Sequence, residues 1–409
     1  MKNILKISAE FLIKSLLSLI LIALIAIFAT SVTPIYQFRE AEPFKGPDIF
    51  NPYRKFDSNK EWKRANFHTH TRVEGILNEC EYWPADVLKA YQKFDYSIVT
   101  FSNHNEITQH PTDYRLHVSL YEHGYNLFKY HKLVFGAKST DGFDHLLPIF
   151  TSQKQYQLER LSSQSDFIQF NHPLRTNLLT KRDMELLEGY EIMELDSGKS
   201  TENEYWDWAL SAGRYSFGLA NDDLHYPDRS NAIAVRCNFI QTDSEEYTSL
   251  KQSLLEGCYY AMRVPDYGKG DWEEKYARNR QLPKIDNIGV KEGDIYIKLS
   301  HKADSIRVIG QNHTTLHLIE CSDTLGYRML ADDSYARIVA YFKDGEVIYT
   351  NPFARYDSSI SETPFVEPSF KILPIQTILF NLICLLFAAS VVFLLYKLVV
   401  KWRIFARKS

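Results

Sequence analysis

The chain has 409 residues, of which 45% are hydrophobic and 24% charged, and its formal net charge is -4. These fractions exclude a disordered chain, the length accommodates two or three domains, and the charge balance excludes nucleic-acid binding through bulk electrostatics. The five cysteines (Cys80, Cys237, Cys258, Cys321 and Cys384) form no C-x-x-C pair, which argues against a zinc ribbon, a redox motif or a disulfide framework and leaves room for one isolated disulfide among the first four.

Residues 1–14 carry Lys2, Lys6 and Lys14, and an uncharged run follows from Ser15 to Phe38 with LLSLILIALIAIFA at its centre. A hydrocarbon core of roughly 30 Å is crossed by about 20 apolar residues, so residues 15–36 are predicted to form a transmembrane helix. A cleaved signal peptide ending near Ala29-Thr30-Ser31 is the rival reading. A second uncharged run, 372–396, is predicted to be another span, followed at 397–409 by a basic tail with Lys397, Lys401, Arg403, Arg407 and Lys408. Positive residues stay on the cytoplasmic side, so both termini are expected in the cytoplasm and the main domain beyond the cell membrane.

Pro34, Pro43, Pro47 and Pro52 mark residues 37–62 as a linker. From 63 to 270, the apolar runs DYSIVTFSN, HKLVFGAKS, SDFIQFNHP, GYEIMELDS and RYSFGLAND read as strands, and ADVLKAYQKF, LLTKRDMELLE, YWDWALSAG and YTSLKQSLLEG as helices. That alternation predicts a parallel sheet with crossovers, closed or doubly wound. The polar stretch DYGKGDWEEKYARNRQLP breaks the pattern, and the strand-like runs over 284–356 then predict a small antiparallel β-sandwich.

Polar residues fall where these strands end. His68 and His70 lie two apart, on one face of an extended segment, so both imidazoles can reach one ion. His104, His172 and the pair Asp223/His225 each follow a predicted strand, and the C-terminal strand ends of parallel α/β folds build the site. The remaining histidines follow no such rule: His110, His117, His123 and His131 are expected to be structural, and His301, His313 and His317 lie in the C-terminal strands.

The order of these motifs resembles the PHP (polymerase and histidinol phosphatase) family of metal-dependent phosphoesterases. The resemblance is carried by His68-Thr69-His70, Glu74-Gly75, Ser102-Asn103-His104-Asn105, Phe135-Gly136-Ala137-Lys138, His145-Leu146-Leu147, Asn171-His172-Pro173 and Asp223-Leu224-His225, with Trp206–Gly213 before the last. It implies a distorted (β/α)7 barrel, followed here by the β-sandwich and flanked by the two transmembrane helices. It implies as metal ligands His68, His70, Glu74, His104, His145, His172, Asp223 and His225, holding one to three divalent ions, Zn or Mn. Asp223 or Glu74 would take the proton from an activated water, and Lys138 and Arg175 would contact the phosphate of a phosphorylated small molecule or envelope component. Glu74 stands in place of an Asp, and two further departures stand out: Asn103 replaces an Asp, and Lys138 stands where a metal-bridging Glu is expected. On those two residues rests an alternative expectation, a catalytically degenerate barrel that binds an anionic or phosphorylated envelope ligand.

Overall fold

The computed structural model describes residues 2–75, 78–126, 128–176, 178–198, 201 and 203–406, with side chains described from 11 to 400. Arg407 and Lys408 lie outside the described residues, as do the side chains of Lys2, Lys6, Lys401 and Arg403.

The chain opens with helix α1 (Lys2–Thr30), then β1 (Tyr36–Gln37), β2 (Asp48–Phe50) and β3 (Lys63–Asn66). Next come α2 (Pro84–Gln92), β4 (Tyr96–Val99), β5 (Leu120–His123), β6 (Lys132–Phe135), α3 (Thr151–Ser162) and β7 (Phe167–Phe170). They are followed by α4 (Lys181–Leu186), β8 (Ile192–Ser197), α5 (Asn203–Ser211), β9 (Phe217–Asn221), β10 (Arg236–Ile240), α6 (Tyr247–Glu256) and β11 (Tyr259–Arg263). The last part holds α7 (Trp272–Asn279), β12 (Ile285–Lys291), β13 (Asp294–Gly310), β14 (Thr314–Arg328), β15 (Tyr335–Tyr341), β16 (Val347–Thr350), β17 (Phe353–Tyr356), β18 (Lys371–Ile372) and α8 (Pro374–Ala406).

The expected strands and helices are present, and among the further elements β5 and α3 bear on the site. β5 carries Glu122 and His123 within four residues and so offers no apolar run. α3, TSQKQYQLERLS, reads as a solvated segment, yet Ser152, Gln153, Lys154, Gln155 and Gln157 are buried. They bond to chain rather than to water: Ser152 Oγ accepts the Tyr36 N–H (3.2 Å), and Gln155 Nε2 donates to the Glu188 carbonyl (2.9 Å). Buried polar groups satisfied in this way carry no penalty that would keep them at the surface.

The all-parallel expectation is corrected. In the five-stranded sheet β5-β6-β7-β8-β9, β7, β8 and β9 are parallel, but β6 runs antiparallel to both neighbours. In the larger sheet β3 and β4 are parallel, whereas β10 and β11 join by antiparallel pairing. The sheets meet through isolated parallel bridges at Thr69–Leu224 and His104–Glu122. Pairing between them is limited to those bridges among the described residues, so the strands do not close into a continuously bonded barrel. The C-terminal strands do not stand apart as a sheet of their own either, because β16 bonds β11 and continues the larger sheet.

The stretch expected to be a linker is packed: β2 pairs with β17, Phe50 and Tyr53 are buried, and the Tyr53 hydroxyl donates to the Tyr259 carbonyl (3.1 Å). No two cysteines are bonded; Cys80, Cys237, Cys258 and Cys384 are buried and Cys321 is exposed. Within α1 and α8, Phe11–Thr30 and Pro374–Val400 are long and apolar enough to cross a membrane. The two helices lie side by side, with Phe28 and Phe387 stacked at 5.3 Å. Asn381 Oδ1 accepts the Thr33 N–H (2.9 Å), and β1 pairs with β18 just beyond, so the chain enters and leaves the folded region together.

Candidate metal centre

Segments beside four strands, β3, β4, β6 and β7, converge on one carboxylate of β5, Glu122, whose side chain is 1% exposed. Its Oε2 lies 3.2 Å from His68 Nε2, 3.3 Å from His70 Nε2 and 3.4 Å from His104 Nε2. Its Oε1 lies 3.2 Å from both His131 Nδ1 and His172 Nε2. Asp223 makes a second hub, with Oδ1 at 3.2 Å from His68 and His70 and 3.4 Å from His225. Glu194 Oε1 is 3.0 Å from His68 Nδ1, and Glu79 Oε2 is 3.1 Å from His104 Nε2. Four overlapping groups of potential ligands result: His68/His70/Glu122/Asp223, His68/His172/Glu194, His70/Glu79/His225 and His104/Glu122/His131.

Backbone pairing beyond the strand ends sets the two pairs spaced two apart against each other. The His70 N–H donates to the Leu224 carbonyl (2.8 Å), and His70 and His225 stack with ring centroids 4.3 Å apart. Asp222 secures the turn before Asp223 by accepting the N–H groups of Ala234, Val235 and Arg236 at 2.8–3.0 Å. His172 (φ 26°) and Asp223 (φ 49°) adopt left-handed backbone conformations, which cost about 1–3 kcal/mol each for a non-glycine residue and persist where surroundings enforce them. At His172 the enforcing contact is Glu194 Oε2, which accepts its N–H at 2.9 Å.

The electrostatics are those of carboxylates awaiting positive charge. Burial alone would lower the His70 pKa, but Asp223 and Glu122 outweigh it and raise the value to about 9. His68 is raised for the same reasons. Burial would raise Glu122 and Asp223, yet the surrounding imidazoles, with Arg175 beside Asp223, hold both well below the ordinary carboxylate range. Glu79 falls to about 2 through its hydrogen bond to His104. Burial lowers His131 to about 4 and also lowers His225.

These residues fit divalent cations. Two ligand atoms each about 2.1 Å from one ion, at angles of roughly 90–109°, stand about 3.0–3.4 Å apart, the range in which the nitrogen and oxygen pairs here lie. His68 Nε2 is buried between two carboxylates with no hydrogen-bond partner among the described residues, as a nitrogen aimed at an ion would be.

Of the residues expected from sequence, the structure brings together His68, His70, His104, His172, Asp223 and His225, with Arg175 Nη1 on Asp223 Oδ2. Three fall elsewhere. Glu74 is exposed, and the carboxylate that reaches His104 and His225 is Glu79, five residues on. His145 is buried away from the cluster, its Nδ1 on the Thr30 carbonyl and its ring edge-on to Phe143 at 5.0 Å. Lys138 is exposed at the far end of β6 near Asp166, with its N–H on the Gln164 carbonyl (3.1 Å). The reversed β6 explains this: its first end, not its last, lies at the centre, so it delivers His131 there and carries Lys138 away. Asn103 does not orient His104; it binds the Thr71 N–H (2.8 Å) and donates to the Thr71 and Thr108 hydroxyls (2.7 and 2.6 Å). Asp207, within Trp206–Gly213, is buried against Arg337.

Sequence reasoning missed Glu79, Glu122, His131 and Glu194. The one signal available was the lone Glu inside the apolar run IMELDS, at Glu194, since such a residue is buried only with partners.

No family model and no curated protein matches the chain. Among solved structures, it is similar to a two-domain protein from Bacteroides vulgatus containing a predicted PHP-like metal-dependent phosphoesterase. The identity is 14%, the match covers 77% of this chain and 100% of that one, and the TM-score is 0.37. A score this low leaves the side chains of the centre as the ground for a functional reading.

Proposed function

We propose that this chain is a membrane-anchored, metal-dependent phosphoesterase of the PHP type, a distorted barrel in outline, acting outside the cytoplasm with both termini inside. One observation carries the reading: Glu122 is shared by five imidazoles within 3.2–3.4 Å, with Asp223 as a second hub on two of the same imidazoles, His68 and His70, and on His225. Divalent ions, Zn or Mn, held in such a set would acidify water and neutralise charge developing on phosphorus. The four groups named above would hold them, one to three in number.

The chain's own groups supply the rest. Asp223 and Glu79 are both held in the ionised form, Asp223 by its imidazoles and Arg175 and Glu79 by His104. Glu79 is the more exposed, at 46% against 6%, so its Oε2 is the better placed to pass a proton to solvent. Glu79 thus takes the part expected of Glu74. Arg175 spends one nitrogen on Asp223, and its remaining donors suit phosphoryl oxygens.

Lys138 lies outside the cluster and Asn103 joins two loops, so neither residue supports the degenerate-binder alternative. The test is metal analysis of the purified full-length protein and hydrolysis of p-nitrophenyl phosphate and bis(p-nitrophenyl) phosphate. We expect bound Zn or Mn and hydrolysis, both lost in His70→Ala. Absence of metal under every loading condition refutes the reading, and metal without hydrolysis of either ester returns it to a binding role.

A further inference from the structure

We propose that the ester cleaved at this centre is the headgroup phosphate of a lipid, presented at the bilayer surface that α1 and α8 enter. This rests on the phosphoesterase reading and on the two apolar helices being membrane spans.

The last turn of α1 is built into the same side of the molecule as the histidine cluster. Thr30 receives His145 Nδ1 on its carbonyl and the Leu146 N–H on its hydroxyl (3.4 Å), and Gln153 donates to the Ser31 carbonyl (3.4 Å). One residue before His145, Asp144 accepts the N–H groups of Tyr125 (2.9 Å) and Asn126 (3.0 Å), three and four residues past Glu122. The Phe143 carbonyl meets Nε2 of His123, the residue after Glu122, at 2.9 Å. A single layer of chain, 143–146, therefore separates the end of α1 from the strand end that holds Glu122.

That layer continues into apolar surface. Ile149 and Phe150 are 52% and 51% exposed, and the Phe150 ring meets Phe380 of α8 edge-on at 5.4 Å. An exposed apolar loop that runs onto the surface of membrane-length helices belongs in the interfacial layer. Around the centre the same chemistry recurs: Leu174 precedes Arg175, Tyr226 follows His225, and both are 45% exposed. Arg229 lies over the Tyr226 ring at 3.8 Å, and Arg72 over the exposed Trp83 at 5.0 Å. Such pairs set an apolar ring against acyl chains and a guanidinium against lipid phosphate. A water-soluble ester needs no exposed apolar rim. In the reaction, water adds to phosphorus as the P–O bond to the lipid-side oxygen breaks, and that oxygen leaves with a proton; water is the only co-reactant.

The test gives full-length, metal-loaded protein in mixed detergent micelles phosphatidic acid and phosphatidylglycerol. At the same bulk concentration it also gives their deacylated counterparts, glycerol phosphate and glycerophosphoglycerol. We expect one lipid to be cleaved at least about tenfold faster than its deacylated partner. Ile149→Glu, exposed and outside the cluster, should lower that lipid rate about tenfold, the worth of one buried isoleucine, and leave p-nitrophenyl ester hydrolysis unchanged. Equal rates for acylated and deacylated esters, or an unaltered lipid rate in Ile149→Glu, overturn the inference. If p-nitrophenyl esters are still cleaved, the phosphoesterase reading survives that failure; if they are not, both fall.

Discussion

Replacing Glu122 by Gln keeps the side chain's shape and removes the charge on which five imidazoles converge. Its Oε2 stands 3.2 and 3.3 Å from the His68 and His70 Nε2 atoms, where Coulomb attraction at an effective dielectric near 20 is about 5 kcal/mol per protonated ring. Desolvation of the buried carboxylate cancels part of this, and breaking one partner of a buried pair leaves a net loss of about 3–5 kcal/mol. For a bound cation the loss is also large: partners of a ligand alone are worth 10–100-fold in affinity, so a shared ligand is expected to cost more than about a hundredfold. The assay is titration calorimetry of the chelated full-length protein with Zn and Mn, with elemental analysis of the protein as purified. Lys138→Ala, at the far end of β6, is the matched control and should leave metal content and hydrolysis unchanged. Full stoichiometry and affinity in Glu122→Gln, or loss of metal in Lys138→Ala, refutes the placement of the centre on Glu122.

The other expectations follow from the same geometry. His131→Ala should lose metal, whereas His145→Ala should keep it and destabilise the fold by roughly 1 kcal/mol, because the half-buried Thr30 carbonyl loses its partner; elemental analysis and chemical unfolding separate the two. Arg175→Met should lower kcat/KM about a hundredfold through loss of charge-assisted contacts worth roughly 2–3 kcal/mol, with metal content held within about twofold; an unchanged kcat/KM removes Arg175 from substrate contact. In the chelated protein, the raised pKa of His70, about 9 against 6.5, stabilises the fold. That contribution is complete below pH 6.5 and lost as pH rises to about 9, so the stability gap to His70→Ala should narrow across that window. Metal binding must displace the same proton, so affinity should weaken as pH falls below about 9; an affinity flat from pH 6.5 to 9 contradicts this.

Much of the centre was legible in sequence because local geometry decides it. The spacing of His68/His70 and Asp223/His225 acts within a single extended segment, and alternation puts both members of each pair on one side whatever the rest of the chain does. His104 and His172 were legible for a related reason, since each follows an apolar run whose end could be read. The two apolar helices needed only length and composition.

Strand direction and pairing partners were not readable in this way. A run such as HKLVFGAKS is equally a strand in either direction, and only its antiparallel pairing with β5 and β7 makes His131 its contribution to the centre and removes Lys138. Glu122 and Glu194 sit inside strands, where sequence alone predicts packing; each became a candidate ligand only when imidazoles from other strands, up to 126 residues away, closed around it. The choice of Glu79 over Glu74 and the seating of His145 on the end of α1 depend likewise on loops meeting in three dimensions. Sequence determined which local pairs could bind an ion, because those pairs are short-range. The tertiary fold decided which carboxylates complete the set and that the centre lies on the side where the apolar helices end, because those contacts join segments that share no local signal.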